Sequence, residues 1–379
     1  MDNQLIISSD SHMIEPEDLF EKALGDKYGD LTPRYVDEHL GQKGKHYFTG
    51  LEYIRVDEIV EGDDATEESR QLQQELLAAS NDPAVRLKCI DKDGVWAEII
   101  NSTWMLYSMR VRNDDLARDC CRIYNSWVAE YCTHAPNRLF PTAMVHMENV
   151  AWACEELERV VKLGHKSVLV NCDTRPEWSY YRDPVYDPFW ARAEEMNVPI
   201  TLHIITGNVR DPFTLFGEER RNTARDGLNI CSEALPVLLN EFIMGEIMDR
   251  FPKLKLVLSE YEVSWLPYFM FRGKQMIEAF GPALSLPKIK SSIEDYMGRV
   301  YHGFIDDTWV DHAIEAVDHR TLMWGSDFPH ARCTYPTSQQ IVHDTLAKLG
   351  EAKMADLSYF NCANLYGIEL PPSRAMAAE

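Results

Sequence analysis

Eight short, apolar, β-rich segments recur along the 379-residue chain, with helix-like segments between them. Strands that alternate with helical patterns are typical of βα units around a parallel sheet. Because eight such units close into a (β/α)8 barrel, we predict an α/β protein with TIM-barrel architecture. The predicted strands cover residues 5–8, 95–100, 139–143, 167–171, 200–204, 254–259, 300–303 and 322–324.

Two gaps between predicted strands are longer than a βα connection needs. The first, at about residues 30–90, follows strand one and contains an acidic run at 58–68 and a predicted helix at 67–79. We interpret it as a lid or a subunit contact, although an acidic run by itself is typical of a solvated loop. The second insertion, 207–226, follows strand five and is long enough to favour a functional or disordered loop. With no internal repeat, we predict a single barrel domain over 1–379.

Composition excludes several classes of function. The chain has 61 acidic and 38 basic residues, a formal charge of −23, so we expect neither a nucleic acid nor an anionic membrane as a partner. The first residues carry no basic and apolar leader pattern, which predicts a cytoplasmic protein. The nine cysteines are scattered without C-x-x-C spacing and indicate reduced thiols.

Polar side chains with metal-binding chemistry stand at the ends of four predicted strands. Asp10 and His12 follow strand one, and their spacing of two puts them on one face of an extended segment. His203 ends strand five, Glu260 follows strand six and Asp327 follows strand eight. Each has an ordinary alternative, such as a helix cap or a structural ion pair. A parallel barrel would gather all of them at one mouth, and this mixture of carboxylate and imidazole suits Zn, Mn or Fe.

These motifs resemble the amidohydrolase superfamily. The resemblance rests on Asp10-Ser-His12, His203, Glu260-Tyr-Glu-Val-Ser-Trp-Leu-Pro267 and Trp324-Gly-Ser-Asp327-Phe-Pro-His330. The chain is most similar to the amidohydrolase-2 branch, which includes metal-dependent decarboxylases and hydratases of aromatic and dicarboxylic acids. The resemblance implies that a divalent metal is held by the first-strand pair, the strand-five histidine and the strand-eight aspartate, and that Asp327 also handles a proton.

The chain departs from the common pattern of this superfamily at three places. Position 10 is aspartate where many members have histidine, and Glu260 stands where a histidine is often found. No lysine ends strand four, since Lys166 precedes that strand, which argues against a dinuclear zinc site with a carboxylated lysine bridge.

Three carboxylates in one pocket raise a question of charge. The side chains of Asp10, Glu260 and Asp327 would together carry a formal −3, of which one divalent ion leaves −1 uncompensated, and a buried unpaired charge is costly. A protonated or displaced carboxylate, an intruding arginine or a second metal ion would each resolve this. A site with a second metal ion would resemble that of dinuclear iron or iron/manganese oxygenases on the same fold.

Six further residues are weaker candidates. His330 is a candidate catalytic residue, ligand or hydrogen-bond donor close to Asp327, with a surface loop position as the alternative. His302, at the end of strand seven, is expected to orient a neighbour and is also a predicted substrate-binding residue. Aromatic and cationic residues elsewhere could line a pocket for an aromatic acid, although plain packing is the common alternative. These predicted substrate-binding residues are Trp178, Tyr180, Arg182 and Arg210.

We therefore predict a metal-dependent hydrolase or non-oxidative carboxy-lyase that acts on a small organic acid or amide, with one or two divalent ions. An oxygenase is the first alternative, and a catalytically silent metal-binding subunit is the second. The expected partners are a small-molecule substrate and further subunits, in a homo-oligomer or a hetero-oligomer with a homologous chain.

Overall fold

The computed structural model describes residues 4–56, 67–207, 234–281, 283–330 and 332–371. The strands within these ranges are short, and most belong to one large sheet. In chain order they are β1 (Ile6–Met13), β2 (Arg34–His39), β3 (Gln42–Phe48), β4 (Tyr53–Arg55), β5 (Val95–Ser102), β6 (Leu139–Met144), β7 (Ser167–Leu169), β8 (Ile200–His203), β9 (Leu256–Ser259), β10 (Val300–Phe304) and β11 (Leu322–Trp324).

Eight strands of the described ranges form a parallel sheet in the order β1-β5-β6-β7-β8-β9-β10-β11. The segment after β11 closes this sheet against β1, because the Asp327 amide donates to the Asp10 carbonyl at 2.9 Å and the His12 amide donates to the Phe328 carbonyl at 2.6 Å. Each of the eight strands coincides with a predicted segment. The predicted (β/α)8 barrel is confirmed.

The first strand runs further than its apolar residues indicate. It continues through Met13, and its pairing with β5 shifts in register between Ser8 and Ser11. An extra residue of this kind re-aims the side chains that follow it, and such irregularities are common next to active sites. Asp10 and His12 therefore lie within the strand rather than beyond its end.

An antiparallel sheet of β2, β3 and β4 occupies the predicted insertion after β1. The acidic run at 58–68 lies almost wholly outside the described residues. The second predicted insertion, 207–226, lies outside them except for Gly207, and Arg210 is among the residues not described. The helical sequence pattern of 228–250 is interrupted in its described part, because the left-handed backbone of Glu246, with φ of 63°, separates two helical segments.

Helices follow the barrel strands, and several begin at a side-chain cap. The side chain of Asn113 accepts from the Leu116 amide, and that of Asn149 accepts from the Trp152 amide, so each satisfies an unpaired donor of its helix. The α-helices are Leu19–Tyr28, Glu67–Asn81, Pro83–Asp93, Trp104–Ser108, Asp114–Cys132, Val150–Lys162, Asp187–Glu195, Ala234–Val237, Ile247–Arg250, Leu266–Gln275, Ile293–Met297, Val310–Ala316, Ser338–Leu346, Glu351–Ala355 and Asn361–Tyr366.

Alternate strand residues define the barrel interior. Ile7, Ile99 and Val257 belong to one buried cluster together with side chains of the C-terminal helices. Because side chains alternate between faces, Asn101 and Ser259, two positions further along β5 and β9, also face the interior. Polar side chains thus replace apolar ones towards the carboxyl end of the barrel. No helix in the described ranges combines the length and apolar character needed to cross a membrane, and the extent of the single domain over 1–379 stays a prediction.

Candidate metal centre

All five predicted ligands lie close together at the carboxyl end of the barrel. His12 Nε2 lies 3.3 Å from Asp10 Oδ1 and 3.4 Å from Asp327 Oδ1. His203 Nε2 lies 3.7 Å from Asp10 Oδ2 and 3.5 Å from Glu260 Oε2. The first-strand pair and His203 are 2% exposed or less, whereas the Glu260 side chain is 19% exposed and forms the open side of the cluster.

Backbone carbonyls fix which ring nitrogen of each histidine faces the cluster. His12 Nδ1 lies 2.8 Å from the Ser102 carbonyl, and His203 Nδ1 lies 3.0 Å from the Ile204 carbonyl. A carbonyl only accepts, so Nδ1 carries the proton in both rings and Nε2 of the neutral ring presents a lone pair. This is the arrangement in which a histidine binds a metal while its other nitrogen is held by a hydrogen bond.

The two Nε2 atoms are the observation that a metal ion would explain. Both are buried, and neither has a hydrogen-bond partner. A buried polar atom without a partner is costly, yet each of these atoms faces carboxylate oxygens at less than 4 Å. Imidazole nitrogen and carboxylate oxygen are suitable ligands for a divalent ion such as Zn or Mn. The donor set therefore fits a metal.

Two neutral side chains that the sequence analysis missed hold Asp10 in place. Asn101 Nδ2 donates to Asp10 Oδ1 at 2.7 Å, and Ser259 Oγ donates to Asp10 Oδ2 at 2.8 Å. These bonds fix both carboxylate oxygens and leave lone pairs for a metal. A signal for both was present in the sequence, because Asn101 follows the second predicted strand and Ser259 ends the sixth.

Asp327 and His330 form a second hydrogen-bonded unit beside His12. His330 Nδ1 lies 2.7 Å from Asp327 Oδ1, and its Nε2 lies 2.9 Å from Thr103 Oγ1. The His330 ring also stacks at 4.1 Å from the His12 ring. With both nitrogens engaged by protein atoms, His330 orients Asp327 in this structure.

Left-handed backbone conformations aim two of the carboxylates. Glu260 and Asp327 have φ angles of 65° and 56°. Non-glycine residues in this region are uncommon, and they concentrate at sites that constrain the chain. Glu260 directly follows β9 and Asp327 lies three residues after the end of β11, so each left-handed residue turns the chain just beyond a strand and faces its carboxylate into the barrel mouth.

The cluster separates the pKa values of its carboxyl groups. Burial opposes ionisation of Asp10, but the neighbouring His203 and His12 outweigh it and hold the Asp10 pKa well below its ordinary value. Burial raises the pKa of Glu260 well above its ordinary value, and the charges of Asp327 and Asp10 add to this effect. A neutral Glu260 would reduce the formal charge of the three carboxyl groups from −3 to −2, which a single divalent ion compensates.

The two histidines also differ. Burial and the charge of His330 lower the pKa of His12. Burial disfavours protonation of His203 as well, but the charge of Asp10 raises its pKa above the ordinary value. A metal ion would compete with the proton on His203, because both need the same lone pair.

Within the described ranges, two overlapping groups of side chains have the spacing of a metal site. One contains the first-strand pair with His203 and Glu260, and the other contains His12, Asp327 and His330. His12 belongs to both, but its Nδ1 is engaged by the Ser102 carbonyl, so only Nε2 is available. One nitrogen lone pair serves one ion, which favours a single metal.

His302 lies away from this cluster. It precedes Gly303 in β10 and is fully buried, and its ring contacts Trp265 edge-on at 5.8 Å. Tyr301, the residue before it, packs against the interior cluster, so His302 points outward towards the helix layer. Burial alone lowers its pKa to about 3.

The other candidate substrate-binding residues have protein partners of their own. Arg182 pairs with Glu241, and its guanidinium stacks on the ring of Tyr180, which is 55% exposed. Trp178 packs against the barrel core and contacts the His146 ring edge-on at 5.0 Å. Arg210 lies outside the described residues. None of these contacts joins the residue directly to the group of candidate metal ligands around His12 and His203, which we call the metal cluster.

A second histidine–carboxylate pair, which the sequence analysis did not single out, lies near the carboxyl end of β6. His146 Nε2 is 2.9 Å from Asp114 Oδ1, and Arg175 Nη1 donates to the same oxygen at 2.7 Å. We call these three residues the Asp114 cluster. Burial lowers the pKa of His146, although its bond to Asp114 opposes the shift.

A (β/α)8 barrel that gathers histidine and carboxylate ligands at the carboxyl ends of its strands defines a class of metal-dependent enzymes. Sequence comparison is consistent with this class, because residues 108–368 match the family model described as amidohydrolase. The chain belongs to the amidohydrolase family.

A curated relative is the gamma-resorcylate decarboxylase of Rhizobium sp. (strain MTP-10005), which is 26% identical over 285 residues. The alignment covers 69% of this chain and 80% of the relative.

Two solved structures share the fold. An amidohydrolase from Mycobacterium avium subsp. paratuberculosis is 18% identical, with a TM-score of 0.79, and the superposition covers 96% of this chain and 100% of that protein. A dihydroxybenzoic acid decarboxylase from Polaromonas sp. JS666, with bound manganese and the inhibitor 2-nitroresorcinol, is 19% identical, with a TM-score of 0.64 over 97% of this chain and 98% of its own.

Proposed function

We propose that this protein is a metal-dependent, non-oxidative decarboxylase of a hydroxylated aromatic acid. The observation that carries the proposal is the pair of buried, unpartnered Nε2 atoms of His12 and His203, which face carboxylates at the barrel mouth. The reaction class is supported by the gamma-resorcylate decarboxylase, whose alignment spans 69% of this chain. Manganese in the Polaromonas decarboxylase supports a divalent ion.

The residues that would hold the ion are Asp10, His12, His203 and Asp327, with Glu260 at the open side. A bound divalent ion would supply Lewis-acid polarisation of a substrate oxygen. Asn101 and Ser259 keep the Asp10 carboxylate in register through their hydrogen bonds at 2.7 and 2.8 Å. The burial of the histidines excludes water that would compete for the same lone pairs.

Asp327 would accept a proton from the substrate and deliver a proton to the ring carbon in this reaction. Decarboxylation breaks the bond between the ring carbon and the carboxylate, and a proton must then reach that carbon. Asp327 Oδ1 lies between His12 and His330, at 3.4 and 2.7 Å, so the carboxyl group is held at one position. His330 would assist by donating its Nδ1–H to the carboxylate, and Thr103 fixes the ring from the other side.

Hydrolysis of an amide would use the same residues, with Asp327 as the base for a water molecule. The decarboxylase relative favours the lyase reaction. The dinuclear oxygenase is less favoured, because His12 has one available nitrogen for two ions. We propose a small aromatic acid as the substrate. An oligomer of like or homologous chains stays a prediction.

The direct test is to load the purified protein with Mn²⁺ and incubate it without oxygen with a series of hydroxybenzoic acids that includes gamma-resorcylate. We expect release of carbon dioxide and the corresponding phenol in equal amounts, and no release from the His12→Ala variant. Amide cleavage without decarboxylation would favour the hydrolase. Failure of every acid at full metal occupancy would contradict the proposal.

A further inference from the structure

Three loops at the carboxyl end of the barrel are hydrogen-bonded into one rim. The Asp307 carboxylate, after β10, accepts from the amides of Val263 and Ser264, after β9, at 3.0 and 2.7 Å. In the same pair of loops, Glu262 Oε2 accepts from the Ile305 amide at 3.2 Å. The loop that carries Glu260 is thereby attached to the loop after β10.

Arg332 reaches this rim from the loop after β11. It lies two residues after His330, and its Nη2 is 3.5 Å from Asp306 Oδ1. The guanidinium is 83% exposed and the Asp306 side chain 51% exposed. A long and exposed ion pair contributes little to stability. Arg332 is therefore held loosely and can turn to another anion at little cost.

Arg332 stands where the loops that carry two candidate ligands meet. It lies two residues after His330, whose Nδ1 is 2.7 Å from Asp327 Oδ1. Its partner Asp306 precedes Asp307, which accepts hydrogen bonds from the loop that carries Glu260.

Several other arginines of the described ranges are held by closer ion pairs. Arg86 is fully buried and donates to Glu98 at 2.6 Å. Arg110 pairs with Glu52, and Arg182 pairs with Glu241. Freeing any of these guanidinium groups would take a close ion pair from its carboxylate, whereas within the described residues Arg332 has only the long contact with Asp306.

An anionic substrate makes a positive group at this rim necessary. If Asp10, Glu260 and Asp327 are all ionised, one divalent ion leaves the pocket at −1, and even a neutral Glu260 leaves it only at zero. The rim adds the carboxyl groups of Glu262 and Asp307. An aromatic carboxylate that approaches this mouth is repelled unless a cation faces it.

We infer that Arg332 is a specificity-determining residue that binds the carboxylate of an aromatic acid at the mouth of the metal centre. The inference rests on the proposed decarboxylase function and adds to it the group that selects acids over neutral phenols. The planar guanidinium can donate two parallel hydrogen bonds to a carboxylate. Arg332 does not touch the metal ligands, so its role is in binding the acid.

The test compares an acid with its neutral counterpart on the Mn²⁺-loaded protein. Gamma-resorcylate carries the carboxylate, and resorcinol is the same ring without it. In Arg332→Gln we expect binding of gamma-resorcylate to weaken about tenfold to a hundredfold, in line with a lost hydrogen bond to a charged group, and resorcinol binding to stay unchanged. KM should rise by a similar factor with a smaller change in kcat.

Arg320→Gln is the matched control, because Arg320 is also exposed and lies at the opposite end of β11, where it bonds Asp318. It should change neither ligand. Arg332→Lys keeps the charge but loses the paired hydrogen bonds, so its acid binding should fall between those of the wild type and Arg332→Gln.

The outcomes separate the two proposals. Equal losses for acid and phenol, or unchanged acid binding in Arg332→Gln, would overturn the inference even if the enzyme decarboxylates. Selective loss of acid binding in a protein that turns over no acid would support the inference and contradict the proposed function. A wild-type protein that binds neither the acid nor the metal would refute both.

Discussion

The barrel mouth contains two histidine–carboxylate clusters that differ in how their charge is balanced. In the metal cluster, His12 and His203 face three carboxyl groups, and their Nε2 atoms have no hydrogen-bond partner. In the Asp114 cluster, the single carboxylate receives Arg175 at 2.7 Å and His146 at 2.9 Å. The guanidinium already supplies the positive charge that the first cluster needs from an ion.

Residue types alone therefore do not identify a metal site. Both clusters combine imidazole with carboxylate near strand ends. Only the first combines excess negative charge with buried lone pairs that no proton donor uses, and such charge is costly unless it is compensated. Substitutions in the two clusters should therefore have different consequences, one for metal and turnover and the other for stability.

The largest effect is expected from Asp327→Asn in the metal cluster. The amide keeps the shape but cannot accept a proton from the substrate or deliver one as an acid. We expect kcat to fall about 10²- to 10⁴-fold, with a smaller change in substrate binding. Steady-state kinetics on protein with measured metal occupancy would check this. Near-normal turnover at full occupancy would leave Asp327 a ligand without a proton-transfer role.

Arg175→Met should separate stability from metal binding. It leaves Asp114 without its cation and removes the bond from Arg175 to the Val111 carbonyl. We expect the free energy of unfolding to fall by about 2 kcal/mol, less than for a fully buried pair, because Asp114 is 30% exposed. Urea unfolding and metal analysis of the same sample test both parts. Loss of metal from a folded variant would break the distinction between the clusters.

An effect that develops only on acidification concerns His302, which has neither carboxylate nor cation beside it among the described residues. Burial lowers its folded-state pKa to about 3, below the ordinary 6.5, so the unfolded chain binds the proton more strongly. Its contribution to stability is therefore complete above pH 6.5 and is lost as pH falls towards 3.

At pH 5 this linkage should cost the wild type about 2 kcal/mol relative to pH 7, from about 1.4 kcal/mol per pKa unit. Urea unfolding curves at the two pH values check this, and His302→Leu should have the shallower dependence. Identical pH dependence in both proteins would show that His302 is not the buried neutral group described above.

The eight strands and the clustering of the candidate ligands were predictable because periodicity and strand ends are local signals. The extension of β1 through a register shift at Ser8–Ser11 was not, since it depends on pairing with a strand that begins at Val95. The support of Asp10 by Asn101 and Ser259 joins three strands, and no local pattern specifies such contacts. The break at Glu246 depends on a left-handed backbone in a segment with helical periodicity.

The outward direction of the His302 side chain could not be predicted from the local sequence either. It follows from the alternation set by Tyr301, whose partners in the interior cluster come from the C-terminal helices. The prediction of a substrate-binding role assumed that His302, at a strand end, faces the barrel mouth. The alternation of side chains along a strand decides which face of the sheet a residue occupies.

The metal content of two matched histidine variants would show whether the metal ion binds at His203. His203 and His146 are both fully buried and both stand near the carboxyl ends of barrel strands. After purification and equilibration with Mn²⁺, the wild type and His146→Ala should each hold about one ion per chain, whereas folded His203→Ala should hold almost none. Full metal content in His203→Ala, or equal loss from both variants, would contradict the account.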